Sequence, residues 1–514
     1  MTTPSDPLPG VDTDATPALL PNRLHPWSWL FAVIALVQSF ALPLLALLLF
    51  GGGDRWQFWG LLAGVGIALA SVVQYFSYRY GVVGDELVIR AGILHRNRRH
   101  VPLQRIRNVS LKQNLLHRAF GVAEVRLESA GGHGAEATMR VLSLDAARAL
   151  ESLIEGHLDH GADQSRDRDA DGGAVAEAAP PLLTLDGGEL VRLGLVSNRG
   201  MVVVGAAMAA IWQLLPDDAD NWIGEAAQAL SGRAMAAHLG WLGWVLGIVT
   251  ILLLAMLLLR LLSVLLAVVQ YHGFALRLAK GRLSVERGLL SRVRASAPPR
   301  RIQFWNRRES LLQRWLGRQS LHVETAVGMQ EDGASSAIDH LAPIAPPALI
   351  DDLLTRLLPL HALDGLDWRP VHPRAWRRMV KWPLGLLLAA CVPLGWLFGA
   401  LGVLPLLLAP WLLWSTRRLA ASRAWALNER LISWRSGWLN RQQSFVEVNK
   451  LQGVQLLQSP FDRRHGMATL RVDTAGAHPI SSSLRIDIDY LPEADARNLY
   501  RRLAASIAAT PLNG

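Results

Sequence analysis

Three stretches of the sequence carry the same residue types in the same register. A glycine opens each (Gly92, Gly288, Gly437), and a second glycine follows 29 positions later (Gly121, Gly317, Gly466). Three residues before the second glycine stands Arg118, Arg314 or Arg463, and eight before it Gln113, Glu309 or Gln458. Seven after it begins Glu128-Ser129-Ala130, Glu324-Thr325-Ala326 or Asp473-Thr474-Ala475. A register held across gaps of different length marks one supersecondary unit used three times. Any function must therefore be explained by one module in triplicate.

Between the repeats lie uncharged apolar runs, at 27–50, 56–76, 201–215, 240–259 and 382–416. Hydrophobic residues make up 51% of the 514-residue chain. A spanning helix needs about 20 apolar residues at roughly 1.5 Å each. The third run reaches that length by extending back toward Leu190, with Arg192 and Arg199 at the interface. The last is long enough for a tight hairpin, turning near Gly399–Gly402, with Pro393, Pro405 and Pro410 kinking or ending its arms. The expectation is six transmembrane helices in three pairs, one pair before each repeat. So many consecutive uncharged runs argue against buried helices of a soluble core. Trp27, Trp29, Trp56, Trp59, Trp212, Trp241, Trp382 and Trp414 sit near run ends, as an interfacial belt requires. Gly60–Gly64, Gly243–Gly247 and Gly395–Gly399 would let helices pack closely.

Arginines crowd the repeats, while the loop at 216–239 sets Asp217, Asp218, Asp220 and Glu225 against Arg233 alone. The asymmetry places the repeats and both termini in the cytoplasm. There the net charge of +10 faces an anionic leaflet. Cys391 is the single cysteine, so no intrachain disulfide forms, as suits a reducing compartment.

Within the first repeat, Val82, Val83 and Leu87 to Ile89 flank a turn at Gly84-Asp85-Glu86. A basic extended stretch and a strand over 102–111 follow. Gln113 to Phe120 reads as a short helix with Leu115, Leu116 and Phe120 on one side, stopped by Gly121. A hairpin turning at Gly131-Gly132 leads to a terminal helix over 144–158, and matching helices are expected at 346–359 and 492–507. Each module is thus an antiparallel sheet whose apolar face a C-terminal helix covers.

The segments Gly92-Ile93-Leu94, Pro102 to Ile106, Gln113 to Gly121 and Val125 to Gly131 resemble the bacterial pleckstrin-homology-like domain (second type) of YdbS/YdbT-type membrane proteins. The third copy keeps Val472 to Gly476, whereas the second has Val327 in place of the final glycine. The resemblance implies a multi-domain α+β membrane protein, with a split β-barrel capped by a helix after each helix pair. It also suggests a role in envelope maintenance or resistance to membrane-active agents.

The expected organisation is a tail (1–26), helix pair 1 (27–76), module 1 (77–158), an acidic linker (159–188), helix pair 2 (189–270), module 2 (271–360), a basic linker (361–381), a hairpin (382–415) and module 3 (416–508). No phosphate loop, nucleophile elbow or His-Glu-x-x-His occurs. Asp167-x-Asp169-x-Asp171-Gly172 imitates a calcium loop, but Ala178 stands at the twelfth position, so an acidic linker is the simpler reading. Glu155, His157, Asp159 and His160 are metal ligands by type, but read as a solvated helix end. No catalytic residue, cofactor or metal is expected. Arg260 interrupts an apolar stretch, and counting from Trp241 places it at the cytoplasmic interface, snorkelling.

The candidate contacts to lipid or partner are Arg96, Arg98, Arg99, Arg118, Arg292, Arg294, Arg314, Arg441 and Arg463. For Arg118, Arg314 and Arg463 the competing reading is a structural pairing with Glu128, Glu324 or Asp473. The basic residues lack interleaved stacking aromatics, which disfavours nucleic acid. The expected partners are the bilayer, its anionic headgroups and another membrane protein of the same family. The function expected is that of a non-enzymatic scaffold of the bacterial inner membrane. The alternative, a transport or export component gated by the modules, is disfavoured because no Asp, Glu, Lys or His lies well inside a run.

Overall fold

The computed structural model describes residues 22–23, 25, 30–31, 78–91, 97–103, 106–129, 137–160, 180–214, 240–279, 281–325, 338–359, 362–474 and 485–509. The runs 27–50 and 56–76, apart from Leu30 and Phe31, lie outside these residues, as do the Gly131-Gly132 turn and the calcium-loop-like stretch. The chain divides into two units, Met1–Gly173 and Ala174–Gly514.

In the first unit, β1 (Asn22–Arg23), β2 (Arg79–Val83), β3 (Glu86–Ala91) and β4 (Asn97–Pro102) form an antiparallel sheet in sequence order. Gly84 supplies the left-handed turn between β2 and β3, at φ 60°. Then β5 (Ile106–Asn114), helix α1 (Leu115–Ala119), β6 (Val122–Ser129) and β7 (Ala137–Ser143) build a second antiparallel set. Helix α2 (Leu144–His160) closes the core with Ala147, Leu150 and Ile154, which lie on one helical face.

The second unit repeats this plan twice. It opens with β8 (Leu183–Thr184) and two helices, α3 (Gly187–Val196) and α4 (Arg199–Leu214), bent by 54°. The run expected to extend smoothly back to Leu190 is therefore broken at Ser197-Asn198. The break is held by α5 (Gly240–Tyr271), which runs through Arg260. Gly194 and Gly200 press on its backbone: a Cβ on Gly194 would lie 2.3 Å from Val264 Cα, and one on Gly200 2.6 Å from the Leu259 carbonyl. Arg260 Nη1 donates to the carbonyls of Leu195 (2.8 Å) and Ser197 (3.3 Å), which the break leaves without helical partners. Arg260 thus caps the end of a broken helix.

Strands β9 (Ala275–Ala279), β10 (Arg282–Arg287) and β11 (Ser291–Ala297) pair antiparallel, with β8 added beside β9. They are followed by β12 (Ile302–Glu309), α6 (Leu311–Trp315), β13 (Gln319–Thr325), β14 (His340–Ala345) and the terminal helix α7 (Pro347–Leu357). Helix α7 buries Ile350, Leu353 and Leu354.

Helix α8 (Ala375–Phe398) runs to Gly399 at φ 61°, and the chain folds back on it as a 3₁₀ segment (Gly399–Leu408) and α9 (Ala409–Ser422). The expected hairpin is present. A Cβ on Gly402 would stand 2.1 Å from the Gly395 nitrogen, so the close approach of the two arms requires glycine at 402. The 3₁₀ stretch also lengthens the short return arm. Residues 399–416 would reach about 27 Å as α-helix, and reach about 32 Å with the 3₁₀ rise of about 2.0 Å. Among the described residues, Val245–Tyr271 and Ala375–Ser422 are apolar and long enough to cross a membrane, and the bent pair would make a third. Their apolar residues face outward; Trp382 is 74% and Trp396 88% exposed.

The third module comprises β15 (Arg369–Pro370), β16 (Ala424–Leu427), β17 (Leu431–Ser436), β18 (Arg441–Glu447), β19 (Leu451–Leu457), α10 (Pro460–Arg464), β20 (Met467–Thr474), β21 (Arg485–Pro492) and α11 (Glu493–Ala509). Alternate residues of β20 are buried, and Ala496, Leu499 and Leu503 of α11 cover them. The second and third modules are not separate bodies. Strand β12 pairs with β18, from Trp305↔Phe445 to Glu309↔Arg441, giving a seven-stranded sheet in the order β14-β13-β12-β18-β17-β16-β15. Their cores interlock: Leu431 and Phe445 lie in the second module's core, and Phe304 in the third's.

Candidate functional site: where each module meets its helices

The first repeated glycine makes a tight hairpin turn after β10 and β17. Gly288 has φ 114° and Gly437 φ 89°, and a Cβ would fall 2.0 Å from the Ser291 carbonyl or 1.8 Å from that of Asn440. The turn after β10 sits on the end of α5. Gly288 N–H donates to His272 O and Leu289 N–H to Val269 O, both at 2.9 Å, satisfying carbonyls at the helix terminus. In the third module, Trp438 of this turn packs on Trp414 (5.1 Å) and Trp411 (6.1 Å) of α9. The glycine turn therefore grips the outgoing helix. It leaves Leu289, Leu290 and Leu439 exposed.

The second glycine ends the short helix in a left-handed conformation, with φ 62–66° at Gly121, Gly317 and Gly466. Ser310 with Gln313, and Ser459 with Asp462, form capping boxes at its start. This helix meets the apolar segment that precedes its module. Phe31, in the first apolar run, packs on His117 at 4.4 Å and Phe120 at 5.8 Å. Arg318, just after Gly317, pairs with Glu189 of α3 at 2.7 Å. Arg378 of α8 pairs with Asp462 at 3.2 Å and lies 5.3 Å over the Phe461 ring.

The apolar residues of these helices do not face the core as the sequence suggested. Leu115, Leu116, Leu311, Leu312 and Phe461 are exposed, as is Trp315 at 84%, whereas His117 and Gln313 turn inward. A five-residue helix buries only the face its flanking strands permit, and its third residue occupies it.

The expected pairing of Arg314 with Glu324 does not occur. Glu324 lies opposite Phe304, near the start of β12, whereas Arg314 follows its far end at Glu309. The five residues from 304 to 309 separate them by roughly 17 Å at about 3.3 Å each. Arg314 instead lies 3.6 Å from Glu309 and donates to the carbonyls of Trp438 (3.2 Å) and Leu439 (3.4 Å). Arg441 approaches the same Glu309 oxygen at 3.5 Å. In the other copies this position is glutamine. Gln113 Nε2 donates to Val122 O (2.9 Å) and Gln458 Nε2 to Met467 O (3.0 Å), fixing the helix to the next strand. Glutamate cannot donate, and here it lies between Arg314 of its own module and Arg441 of the next.

The remaining candidates are dispersed. Arg98 and Arg99 are exposed on β4, and Arg292 and Arg294 on β11, where Arg292 pairs with Glu286 at 2.6 Å. Arg118 and Arg463 are exposed on α1 and α10. Arg96 lies outside the described residues. Among the described residues, no His, Cys, Asp and Glu cluster could hold a metal. The sequence carried a signal for the exposed rim, because apolar pairs recur at Leu115-Leu116, Leu311-Leu312 and Pro460-Phe461. A helical pattern alone gave no means of telling core from rim.

No solved structure matches the chain. UPF0699 transmembrane protein YdbT of Bacillus subtilis (strain 168) is 21% identical over 470 residues, covering 88% of this chain and 92% of that protein. The family model for the bacterial PH domain matches three times, at 30–157, 236–345 and 383–507. Each match starts in or beside an apolar run and extends through the paired glycine motifs, so the repeated unit is an apolar run together with its module, and the chain belongs to the bacterial PH domain family.

Proposed function

We propose that the protein is a non-enzymatic scaffold of the bacterial inner membrane, with six spans and its modules and termini in the cytoplasm. Each module holds a rim of apolar and basic residues at headgroup level. The observation that carries this reading is the recurrence of exposed apolar side chains on the short helix of every module, beside that module's own membrane segment. Leu115 and Leu116, Leu311, Leu312 and Trp315, and Phe461 serve as wedges. Leu289, Leu290 and Leu439 add to them at the glycine turns. A Trp at the membrane–water boundary is favoured there. Arg98, Arg99, Arg118, Arg292, Arg294 and Arg463 then face anionic headgroups, each contributing about 1 kcal/mol of attraction. Rigid sheet continuity from the second to the third module suits a platform for other membrane proteins. The similarity to YdbT, a transmembrane protein, supports a membrane setting.

The test is depth labelling of the full chain in proteoliposomes. In a Cys391→Ser background, Leu116→Cys and Trp315→Cys carry an environment-sensitive fluorophore, with Tyr500→Cys on α11 as control. The expected result is blue-shifted emission quenched by lipid-borne nitroxides at 116 and 315 and water-like emission at 500. Water-like emission at both rim positions overturns the reading.

A further inference from the structure

At the break between α3 and α4, cationic side chains converge from several elements. Arg199 opens α4, Tyr271 ends α5, Arg287 ends β10, Arg308 lies on β12, and His322 and His340 are cross-strand neighbours on β13 and β14. Arg199 Nη2 donates to the Tyr271 hydroxyl at 2.9 Å, and Arg199 also donates to Gln270. The guanidinium groups of Arg199 and Arg287 lie 5.1 and 5.0 Å from the centre of the same Tyr271 ring. The His340 ring is 6.1 Å from that ring and 4.5 Å from His322.

This cluster lacks a counter-charge. Arg287 is 6% exposed, and its Nη1 has no hydrogen-bond partner. Among the described residues, no carboxylate pairs with Arg199, Arg287 or Arg308, and the charges acting on the two histidines are all cationic. A buried guanidinium with an unmet N–H is costly, and one aromatic ring cannot balance two cations. Burial, followed by Arg308 and Arg199, brings His322 down to about 4. Burial, then His322 and the arginines, also lowers His340. Both rings are therefore neutral near pH 7, each with one N–H to donate.

We propose that Arg199, Arg287, Arg308, His322 and His340 form a binding site for a phosphate-class anion, either free in solution or carried by a lipid headgroup. Guanidinium forks match phosphate oxygens, and Arg287 Nη1 is the donor that awaits one. Tyr271 and Arg199 lie at the ends of apolar helices, at the depth a headgroup phosphate occupies. The exposed rim is a separate feature, and this site does not depend on its insertion.

The test uses the full chain in maltoside micelles, which contain no phosphate. One arm titrates inorganic phosphate at constant ionic strength, and the other adds phosphatidate. Thermal unfolding and the His322 ring resonances are followed in both. The expected result is a saturable rise in melting temperature and moving ring signals in at least one arm, which identifies the source. Arg308→Gln, at an exposed position, still folds and weakens binding about tenfold, the loss of one charge-assisted hydrogen bond. Arg287→Gln abolishes the response and Arg287→Lys restores part of it. If Arg287→Gln does not fold, the Arg308→Gln titration decides. The proposal is overturned if neither arm gives a saturable response, or if Arg308→Gln responds like the parent.

Discussion

Arg314 of the second module donates to the main-chain oxygen of Trp438 in the third, 3.2 Å away. With Glu309 between Arg314 and Arg441, the contact ties the end of β12 to the turn before β18. Arg314→Ala should cost about 1–3 kcal/mol, because two turn carbonyls and a largely buried Glu309 lose a donor. Arg441→Ala should cost less than about 1 kcal/mol, since Arg441 is exposed and screened. Glu309→Gln recreates the residue of the other copies. It should be milder than Glu309→Ala, because the amide can donate to the Arg318 carbonyl as Gln113 and Gln458 do to their counterparts. Thermal melts of the purified chain check the ranking, which fails if Arg441→Ala costs as much as Arg314→Ala.

The two repeated glycines should differ in tolerance. A Cβ at Gly437 would overlap the Asn440 carbonyl at 1.8 Å, whereas at Gly466 nothing lies within 4 Å. Gly466→Ala therefore meets only the left-handed backbone penalty of about 1–2 kcal/mol. Gly437→Ala must open the turn and withdraw Trp438 from Trp411 and Trp414. It should lower the melting temperature much further and shift tryptophan emission, and equal losses at both sites would contradict this account.

The glycines were the most legible part of the sequence. Their recurrence marked turn and cap: Gly288 and Gly437 leave no room for a Cβ, and Gly121, Gly317 and Gly466 adopt the left-handed backbone. The hairpin at Gly399 was legible because no single helix could hold so long an uncharged run. Three features were hidden. The β12–β18 pairing depends on an edge-to-edge register between distant strands, which alternation in either strand cannot reveal. The outward face of Leu115 and Leu311 was misread because a short helix has too few turns to show a period. The His322–His340 cluster joins β13 and β14 to the ends of α4 and α5, and no spacing along the chain announces it. The Glu309 substitution was visible as a departure from glutamine, but its meaning lay in Arg441, more than a hundred residues away.

The α3–α4 break should be rigid rather than a hinge. Arg260→Leu leaves the Leu195 and Ser197 carbonyls unpaired in an apolar setting, at about 1–3 kcal/mol. Gly200→Leu would drive a side chain into Ser263 and the Leu259 carbonyl, so α4 must detach from α5. Crosslinking between cysteines placed at 203 and 256 in the Cys391→Ser background, scored against parent yields, reports the detachment. An unchanged yield in Gly200→Leu would show that α4 was not held by this contact.

Acid should loosen the second module before carboxylates titrate. His322 and His340 both lie below the ordinary value of 6.5 in the folded chain. On acidification the unfolded chain therefore takes up protons first. Stability is complete above pH 6.5 and falls as pH drops toward about 4, with each histidine contributing about 1.4 kcal/mol per pH unit. His322→Gln should flatten the slope of melting temperature between pH 6.5 and 4.5. Bound phosphate should flatten it too, by stabilising the protonated rings. A slope unaffected by His322→Gln would mean that other groups govern the transition.

Removing the third module should damage the second. A chain ending at Lys381 keeps every strand of the second module but strips β18 from β12. Trp305 to Glu309 would then present an open edge. The cut also takes Leu431 and Phe445 out of the core around Trp305 and uncovers Phe304. An unpaired strand edge, with Phe304 uncovered beside it, invites association with a second copy. The truncated protein should elute as oligomers and be cleaved within β12 and β13 by protease levels that leave the full chain intact. Arg307→Pro in the full chain provides a milder version, because proline cannot serve a strand paired on both sides. If the truncated protein were monomeric and protease-resistant, the shared sheet would be a contact between finished domains. The alternative outcome, oligomers with exposed β12, would show that the repeat's folding unit spans the boundary between modules.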